Sequence, residues 1–233
     1  MNCTSKHAVS SPGEKFNLLS EICERGYAFV PSYRVNDVTV DAFATLGEVT
    51  VLDGFCPTQM LVPRSAETVH PNTYSGNFGR GEFPLHTDLA HWAVPPRYIG
   101  LRCVKGDRRV ATRLLDGLDV LRHVGRATLR RALAKPRRPL RGNTQLLHLL
   151  DVAGQDEILR WDGLFLLPAS STGEAVFLQM KSLLEKEEPH SLILGNLGDT
   201  LLIDNWRMLH GRSPVPIVGS DRRIDRVYLA NIF

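Results

Sequence analysis

The sequence predicts a mainly β domain with flanking helices, of the α+β class, built on a β-barrel or β-sandwich core. Short β-prone segments recur along the chain between Gly, Asn and Asp turns, and helical spacing of apolar residues is confined to the N-terminal region and a few internal segments. The 233 residues are 43% hydrophobic, which is enough for one substantial core. We therefore expect a single domain over residues 1–233, with residues 1–13 as a flexible tail.

The N-terminal part of the chain is predicted to combine helices with one strand and to end in a loop. Apolar residues at helical spacing predict a helix over 15–24, which Gly26 would end. Residues 27–30 (YAFV) indicate a strand, and 38–46 a second short helix. Residues 65–82 are rich in Gly, Asn, Ser and Thr, a composition typical of a mobile loop.

The remainder of the chain is predicted to be rich in strands, with two longer helices. Strands are expected where β-prone residues stand between turn residues, and they cover 98–104, 110–115, 163–167, 200–205 and 222–232. Helices are expected over 119–133, which is strongly basic, and over 173–186, because both segments have an apolar stripe at helical spacing.

The composition argues against several classes of protein. No run of about 18 apolar residues could span a membrane, and the polar N-terminus lacks the apolar segment of a signal peptide. The cysteines (Cys3, Cys23, Cys56 and Cys103) are scattered and form no CxxC pair. This pattern favours reduced thiols in a cytoplasmic protein over a zinc ribbon or a disulfide framework.

The positive charge is unevenly distributed. The net charge is only +3, yet eight Lys and Arg residues fall between Arg122 and Arg141. Such a stretch could be a nucleic-acid patch, but no aromatic residue interleaves it to stack on bases, and its apolar stripe at helical spacing favours an exposed helix face instead. We therefore expect no nucleic-acid partner and leave the oligomeric state open.

Three residues stand out as a set of metal ligands: His86 and Asp88 in PLHTD, and His210 in DNWRMLHGR. On an extended strand, residues i and i+2 face the same side, so His86 and Asp88 can point at one ion. Two imidazoles and one carboxylate suit Fe(II), and His210 would complete one face of an octahedron. The pattern predicts an iron site whose opposite face stays open, with these three residues at its catalytic centre.

The surroundings of these ligands resemble a known family. PLHTD followed by PPRYIGLRCV, and GDTLLIDNWRMLHGRSPV followed by RRIDRVYLANI, are similar to Fe(II)- and 2-oxoglutarate-dependent oxygenases of the taurine dioxygenase, γ-butyrobetaine hydroxylase and clavaminate synthase group. The resemblance covers residues 72–116 and 195–232. It implies a catalytic domain with the double-stranded β-helix (jelly-roll) fold, which uses Fe(II), 2-oxoglutarate and O2.

The resemblance also implies a site for the C5 carboxylate of 2-oxoglutarate. In this family a Thr, matched here by Thr112, and an Arg shortly after the distal His bind that carboxylate, a pairing that suits a planar guanidinium. Arg222 and Arg223 both stand at the right offset. A pattern that ends at Tyr228 favours Arg222, whereas an RRI pattern favours Arg223, so both are candidates.

The segment that leads into His86, and the residues just after the ligands, are predicted to border the substrate. The candidate substrate-binding residues there are Asn72, Tyr74, Asn77, Phe78 and His91. Trp92 either lines the same pocket or belongs to the core. Arg226 shares a strand face with Arg222 and matches an Arg that holds the anionic head of the substrate in taurine dioxygenase. This match implies a substrate that carries an anionic group such as a carboxylate.

The implied reaction is oxidation of a small molecule, such as an amino acid or a natural-product intermediate. Halogenating relatives lack the carboxylate that Asp88 supplies, so the resemblance implies hydroxylation, desaturation or cyclisation instead. Three alternatives are a catabolic dioxygenase for sulfonates or aryloxy acids, a non-catalytic jelly-roll binding protein, and an oxygenase directed at nucleic acid. The complete ligand set disfavours the second alternative, and the absence of aromatic residues in the basic stretch disfavours the third.

Overall fold

The computed structural model describes residues 12–139, 142 and 144–233; residues 1–11 of the predicted tail lie outside it, and Pro12 and Gly13 begin the first helix. The strands are β1 (Tyr27–Val30), β2 (Gly47–Thr50), β3 (Gln59–Leu61), β4 (Phe83–His86), β5 (Tyr98–Lys105), β6 (Thr112–Asp116), β7 (Leu133–Pro136), β8 (Leu147–His148), β9 (Leu150–Ala153), β10 (Asp156–Leu159), β11 (Leu166–Pro168), β12 (His190–Leu192), β13 (Thr200–Asp204), β14 (Met208–Arg212) and β15 (Arg223–Ile232). The helices are α1 (Pro12–Arg25), α2 (Thr39–Ala44), α3 (Tyr74–Phe78), α4 (Gly117–Val124), α5 (Arg126–Arg131) and α6 (Ser171–Lys186), with a 3-10 turn at Ala66–Thr68.

Two antiparallel sheets carry the residues predicted to bind iron and cosubstrate. The larger sheet has the strand order β1-β13-β5-β15-β2, and β3 also pairs with β15. The smaller sheet has the order β12-β6-β14-β4, so β14 lies between two strands that are close to each other in sequence but far from β14. In this register His210 stands beside both His86 and Leu114.

Apolar side chains from both sheets meet in one buried cluster, so the two sheets face each other. Ile99, Leu201 and Ile224 come from the larger sheet and Leu114 from the smaller one, and none is more than 1% exposed. Burial of each side chain of this size contributes about 2 kcal/mol to the hydrophobic free energy of folding. Helices α1 and α2 pack on the larger sheet in a second cluster, and α4, α5 and α6 pack with β7–β11 in a third.

Most of the predicted elements are confirmed, and so is the mainly antiparallel β architecture with a few helices. The helices expected over 15–24, 38–46 and 173–186 correspond to α1, α2 and α6, and the strands expected over 27–30, 98–104, 110–115, 200–205 and 222–232 correspond to β1, β5, β6, β13 and β15. The strand expected over 163–167 begins later, at Leu166. None of the described helices has the length and apolarity needed to cross a bilayer.

The prediction of one helix over 119–133 is wrong. Helix α4 ends at Val124, and Gly125 has a φ of 87°, which an α-helix cannot continue through. A second helix, α5, then ends at Arg131, and Leu133 begins strand β7. The apolar stripe continues through both short helices because both pack against α6, and this continuity produced the error. No strand was predicted at β2, β3, β7–β10, β12 or β14 either.

The segment predicted as a mobile loop, residues 65–82, contains the 3-10 turn and α3. Thr73 Oγ1 caps α3 by accepting a hydrogen bond of 3.0 Å from the Gly76 N–H. Arg212 Nη2 donates hydrogen bonds to the carbonyl oxygens of Gly79 and Gly81, at 3.2 and 2.5 Å. The segment is therefore anchored to β14 beside the predicted iron ligands.

Candidate metal centre

His86, Asp88 and His210 form one buried cluster. His86 is the last residue of β4 and pairs with His210 of β14 across the antiparallel ladder, so the two side chains lie on one face. Asp88 Oδ1 lies 3.3 Å from His86 Nε2 and 3.5 Å from His210 Nε2, and each residue is at most 8% exposed. The structure thus brings one ligand atom from each residue within 4.8 Å of the others, close enough to hold one ion.

The chemistry of this donor set fits Fe(II). His86 Nδ1 lies 2.9 Å from the Pro84 carbonyl oxygen. A carbonyl only accepts, so Nδ1 carries the hydrogen and Nε2 keeps its lone pair for an ion. His210 Nδ1 is buried without a partner, and its Nε2 faces Asp88 in the same way. Two imidazole nitrogens and one carboxylate oxygen on one side, with a cavity on the other, are the arrangement typical of non-haem Fe(II).

Asp88 is fixed by hydrogen bonds that sequence reasoning did not predict. Its Oδ2 accepts from Arg226 Nη1 at 2.6 Å and from the Tyr228 hydroxyl at 2.9 Å. The Asn205 amide accepts from the Asp88 N–H at 2.7 Å and donates to the Asp88 carbonyl at 3.0 Å. Arg226 in turn donates to Gln59 Oε1. Arg226 and Tyr228 are two residues apart on β15, so their side chains share one face of the strand. This spacing was the only feature of the sequence that could have indicated the network.

Electrostatics favour an ionised carboxylate in the cluster. Burial opposes the charge of Asp88, but in the metal-free protein the Arg226 guanidinium and the adjacent imidazoles of His210 and His86 outweigh it, so the pKa of the Asp88 carboxyl lies well below its usual range. Burial and the nearby His86 lower the pKa of His210, which favours the neutral ring that a metal ligand must be. Burial also opposes protonation of His86, yet the hydrogen bond to Asp88 raises its pKa.

A cavity of about 590 Å³ opens beside the cluster. Of the two candidate arginines, Arg222 lines this cavity and Arg223 does not. Arg222 lines the cavity together with Thr112, is 6% exposed, and has a buried Nε without a hydrogen-bond partner. Burial lowers the pKa of Arg222 to about 10. Arg223 does not line the cavity; it points outward and its Nε donates to Asp225 Oδ1 at 3.2 Å. An unpartnered guanidinium in the cavity wall can receive an anion.

The predicted substrate-binding residues divide into two groups. Asn72, Tyr74 and His91 line the cavity, and Trp92 lines it as well. Tyr74 stacks on the ring of His86 with centroids 4.2 Å apart. The other two predicted residues do not line the cavity: Asn77 Nδ2 donates to the carbonyls of Pro71 and Thr73, and Phe78 packs against Tyr74 and Phe83.

Two further cavity residues, Asp162 and Arg137, were missed by sequence reasoning. Asp162 is 1% exposed and Arg137 is half-buried. Asp162 lies in the sequence Trp-Asp-Gly, which predicts only a turn. Arg137 lies within the basic stretch, which was interpreted as an exposed helix face. Within the part of that stretch that the structure describes, Arg126 and Arg130 both pair with Glu157. Two of the eight basic residues thus share one carboxylate on the surface.

No protein-family model matches the sequence, and no curated protein matches it either. Solved structures do. An asparagine oxygenase in complex with Fe(II), 2S,3S-3-hydroxyasparagine and succinate superposes with a TM-score of 0.68 at 17% identity, over 94% of this chain and 79% of that one. The chain has the fold of the iron-dependent oxygenases. A taurine dioxygenase from Burkholderia xenovorans gives a TM-score of 0.68 at 19% identity, over 97% of this chain and 83% of that one.

Two other structures with this oxygenase fold extend the comparison. PvcB from Pseudomonas aeruginosa gives a TM-score of 0.66 at 16% identity, over 96% of this chain and 81% of that one. The non-haem iron oxygenase OrfP, in complex with Fe, succinate and (3S)-hydroxy-L-Arg, gives 0.65 at 18% identity, over 95% and 81%. The mainly antiparallel β architecture with a few helices, expected from the sequence, fits these structures. At sequence identities of 16–19%, these four structures establish the fold alone.

Proposed function

We propose that this chain is a single-domain Fe(II)- and 2-oxoglutarate-dependent oxygenase on a jelly-roll fold. We further propose that it hydroxylates, desaturates or cyclises a small carboxylate-bearing molecule, such as an amino acid or a natural-product intermediate. One observation carries the proposal: the buried cluster of His86, Asp88 and His210 opens into the same cavity as Arg222, whose buried Nε has no hydrogen-bond partner among the described residues. An iron site and an anion site that share a cavity are what a chelating keto diacid requires.

His86, Asp88 and His210 would hold the iron by one face. When bound there, Fe(II) would supply a centre that 2-oxoglutarate can chelate and that activates O2. Asp88 presents only Oδ1 to the ion, because Oδ2 is occupied by Arg226 and Tyr228. The three protein ligands therefore leave the cavity side free for cosubstrate and O2.

Arg222 and Thr112 would bind the C5 carboxylate of 2-oxoglutarate. Both line the cavity, and the apolar side chains of Leu101 and Ile224 line it with them. A guanidinium with little access to water binds a carboxylate strongly, since the hydrogen bonds are charge-assisted. Apolar neighbours suit the methylene groups between the two ends of the diacid. Arg223, which points away from this cavity, takes no part in the proposed site.

Other residues of the cavity lining would receive the substrate. Asn72, Tyr74 and His91 line the cavity, and Trp92 adds an apolar surface that excludes water when substrate binds. Two proteins of similar fold bind amino-acid derivatives. The asparagine oxygenase complex contains hydroxyasparagine, and the OrfP complex contains hydroxyarginine. Arg226 stays a candidate for the anionic group of the substrate, although two of its nitrogens already donate to Gln59 and a third to Asp88.

Formation of the iron chelate tests the proposal. Anaerobic protein is titrated with Fe(II) and 2-oxoglutarate, and the weak visible charge-transfer band of the chelate is recorded. We expect a saturable band, and we expect Arg222→Ala to weaken the affinity for 2-oxoglutarate about 100-fold, since losing a buried charge partner costs about 3 kcal/mol. Arg223→Ala is the matched control and should leave the affinity unchanged. Absence of the band, or equal effects of the two variants, would contradict the proposed site.

A further inference from the structure

Asp162 is a buried carboxylate in the cavity wall that the proposed metal and cosubstrate sites do not use. It is 1% exposed, and its charge acts on the nearby ring of His91. Its Oδ1 accepts hydrogen bonds from the backbone N–H groups of Leu164 and Phe165, both at 2.8 Å. Burial and the nearby charge of Asp162 raise the pKa of the Tyr74 hydroxyl.

These donors to Asp162 are all neutral. In the part of the chain that the structure describes, no Arg, Lys or His forms an ion pair with it, whereas Asp88 in the same cavity is paired with Arg226. Burying a charge without a counter-ion costs free energy of folding, and a cationic group of a bound ligand would reduce that cost. Asp162 is the carboxylate of this cavity that a ligand could neutralise.

Arg137 presents the opposite charge on the same wall. Its guanidinium carbon lies 5.4 Å from the centroid of the Phe165 ring, and its Nη2 donates to Asn72 Oδ1 at 3.3 Å. No carboxylate among the described residues forms an ion pair with Arg137. The backbone of Phe165 joins the two groups, because its N–H donates to Asp162 and its carbonyl accepts from the Arg137 N–H at 2.8 Å. An anion and a cation therefore flank one aromatic residue.

We propose that Asp162 binds a cationic group of the substrate and that Arg137 binds a carboxylate of the same molecule. The substrate is then a zwitterion with an ammonium or guanidinium group. This inference rests on the proposed function, because it assigns the pocket beside the proposed iron. The rings of Tyr74 and Phe165, with centroids 5.4 Å apart, line the cavity together with Asp162, and aromatic faces attract cations. The alternative is that Asp162 only caps its own turn.

The first test removes single charges from the ligand. The common L-amino acids are titrated by calorimetry into anaerobic protein that holds Fe(II) and 2-oxoglutarate. Each one that binds is compared with its 2-hydroxy analogue, which lacks the α-ammonium, and with its decarboxylated amine. For L-arginine, L-citrulline also removes the guanidinium charge. We expect an analogue that lacks one cationic group to bind at least tenfold more weakly than the amino acid. We expect the decarboxylated amine, which lacks the carboxylate, to bind at least tenfold more weakly as well. Equal binding of the analogues, or no binding by any amino acid, would overturn the proposal.

The second test removes the charge from the protein. Asp162→Asn keeps an oxygen for the two backbone N–H groups. Its matched control is Asp199→Asn, because Asp199 is also buried and accepts from the N–H groups of Ser32, Gly195 and Asn196, yet does not line the cavity. We expect Asp162→Asn to weaken amino-acid binding at least tenfold and Asp199→Asn to leave it unchanged.

The third test addresses the anionic end. Arg137→Gln is compared with Arg131→Gln, since Arg131 is exposed at the end of α5 and does not line the cavity. We expect Arg137→Gln to weaken binding of the amino acid but not of its decarboxylated amine.

If Asp162→Asn protein folds, forms the chelate and binds the amino acid unchanged, Asp162 is only a turn cap and the inference fails while the proposed function stands. If wild-type protein forms no chelate, the proposed function fails instead, and calorimetry on metal-free protein still measures the dependence on ligand charge.

Discussion

The two oxygens of Asp88 have separate partners. Oδ1 faces the Nε2 atoms of His86 and His210, whereas Oδ2 accepts from Arg226 at 2.6 Å and from Tyr228 at 2.9 Å. The two donors fix the rotation of the carboxylate before any ion arrives, so the ion meets one oxygen in a set position. Hydrogen bonds to metal ligands of this kind raise metal affinity because they orient the ligand and hold its charge.

Replacing Tyr228 by Phe should weaken metal binding about tenfold, because it removes one of the two donors that orient Asp88. The affinity is measured by competition between the protein and a chelating dye for Co(II), which needs no turnover. Tyr33→Phe is the control, since the Tyr33 hydroxyl contacts Thr45 at 2.8 Å and does not line the cavity. An unchanged affinity in Tyr228→Phe would show that Arg226 alone orients the carboxylate.

At the scale of elements, the break between α4 and α5 depends on one glycine. Gly125 follows Val124 with a φ of 87° and a ψ of 133°, a conformation that residues with a Cβ rarely adopt. The break turns α5 so that Leu129 is buried with the residues of α6, and it allows the chain to continue into β7. Strand β7 ends at Pro136, directly before Arg137 in the cavity wall.

Gly125→Ala should lower the free energy of unfolding by about 1–2 kcal/mol through backbone strain. Crowding does not contribute, because an added Cβ would meet only Thr128 Oγ1, at 3.8 Å. Gly163→Ala is the control: its Cβ would meet Trp161 at the same 3.8 Å, and its φ is not in the left-handed region. Chemical denaturation of both variants measures the difference. Equal stabilities would contradict the role given to Gly125.

At the scale of the whole molecule, the candidate site depends on both sheets. His86 and His210 come from the smaller sheet, whereas Arg222 immediately precedes β15 of the larger sheet and Arg226 belongs to β15. The cavity lies where the sheets face each other, so folding of both is required to form it. An ion bound there should therefore stabilise the entire domain.

Binding of a divalent ion should raise the free energy of unfolding by about 2.7 kcal/mol at an ion concentration 100 times the dissociation constant. Thermal unfolding with Co(II) or anaerobic Fe(II) measures the effect as a higher midpoint temperature. His210→Ala should unfold at the same temperature with and without the ion. A similar upward shift in that variant would place the stabilising ion elsewhere on the protein.

Acid should weaken the metal-free protein through the pair formed by Asp88 and Arg226. The pKa of Asp88 is lower in the folded than in the unfolded chain, so its contribution is complete above about pH 4 and is lost as the pH falls below that value. We expect Asp88→Asn to cost about 3 kcal/mol at pH 7, since it leaves Arg226 without its partner, and progressively less below pH 4. Urea unfolding across this range measures the difference. A constant difference would contradict the ion pair.

The sequence alone predicted the candidate ligand set and six of the fifteen strands among the described residues, β11 only in part. His86 and Asp88 are neighbours on one short segment, where spacing by itself predicts that their side chains point to the same side. Strands β5, β13 and β15 were predictable because their β-prone residues stand between clear turns. The same local logic predicted α6, whose apolar face repeats at helical spacing.

Only the tertiary structure decided which neighbours complete the site. Adjacent residues of a strand face opposite sides, so the choice between Arg222 and Arg223 required the register of β15 against β5. Tyr228 donates to Asp88 across 140 residues of sequence, and no local pattern encodes such a contact. Asp162 and Arg137 likewise become cavity residues only when the chain from Leu133 to Pro168 folds against the two sheets, because burial and charge pairing depend on contacts between distant segments.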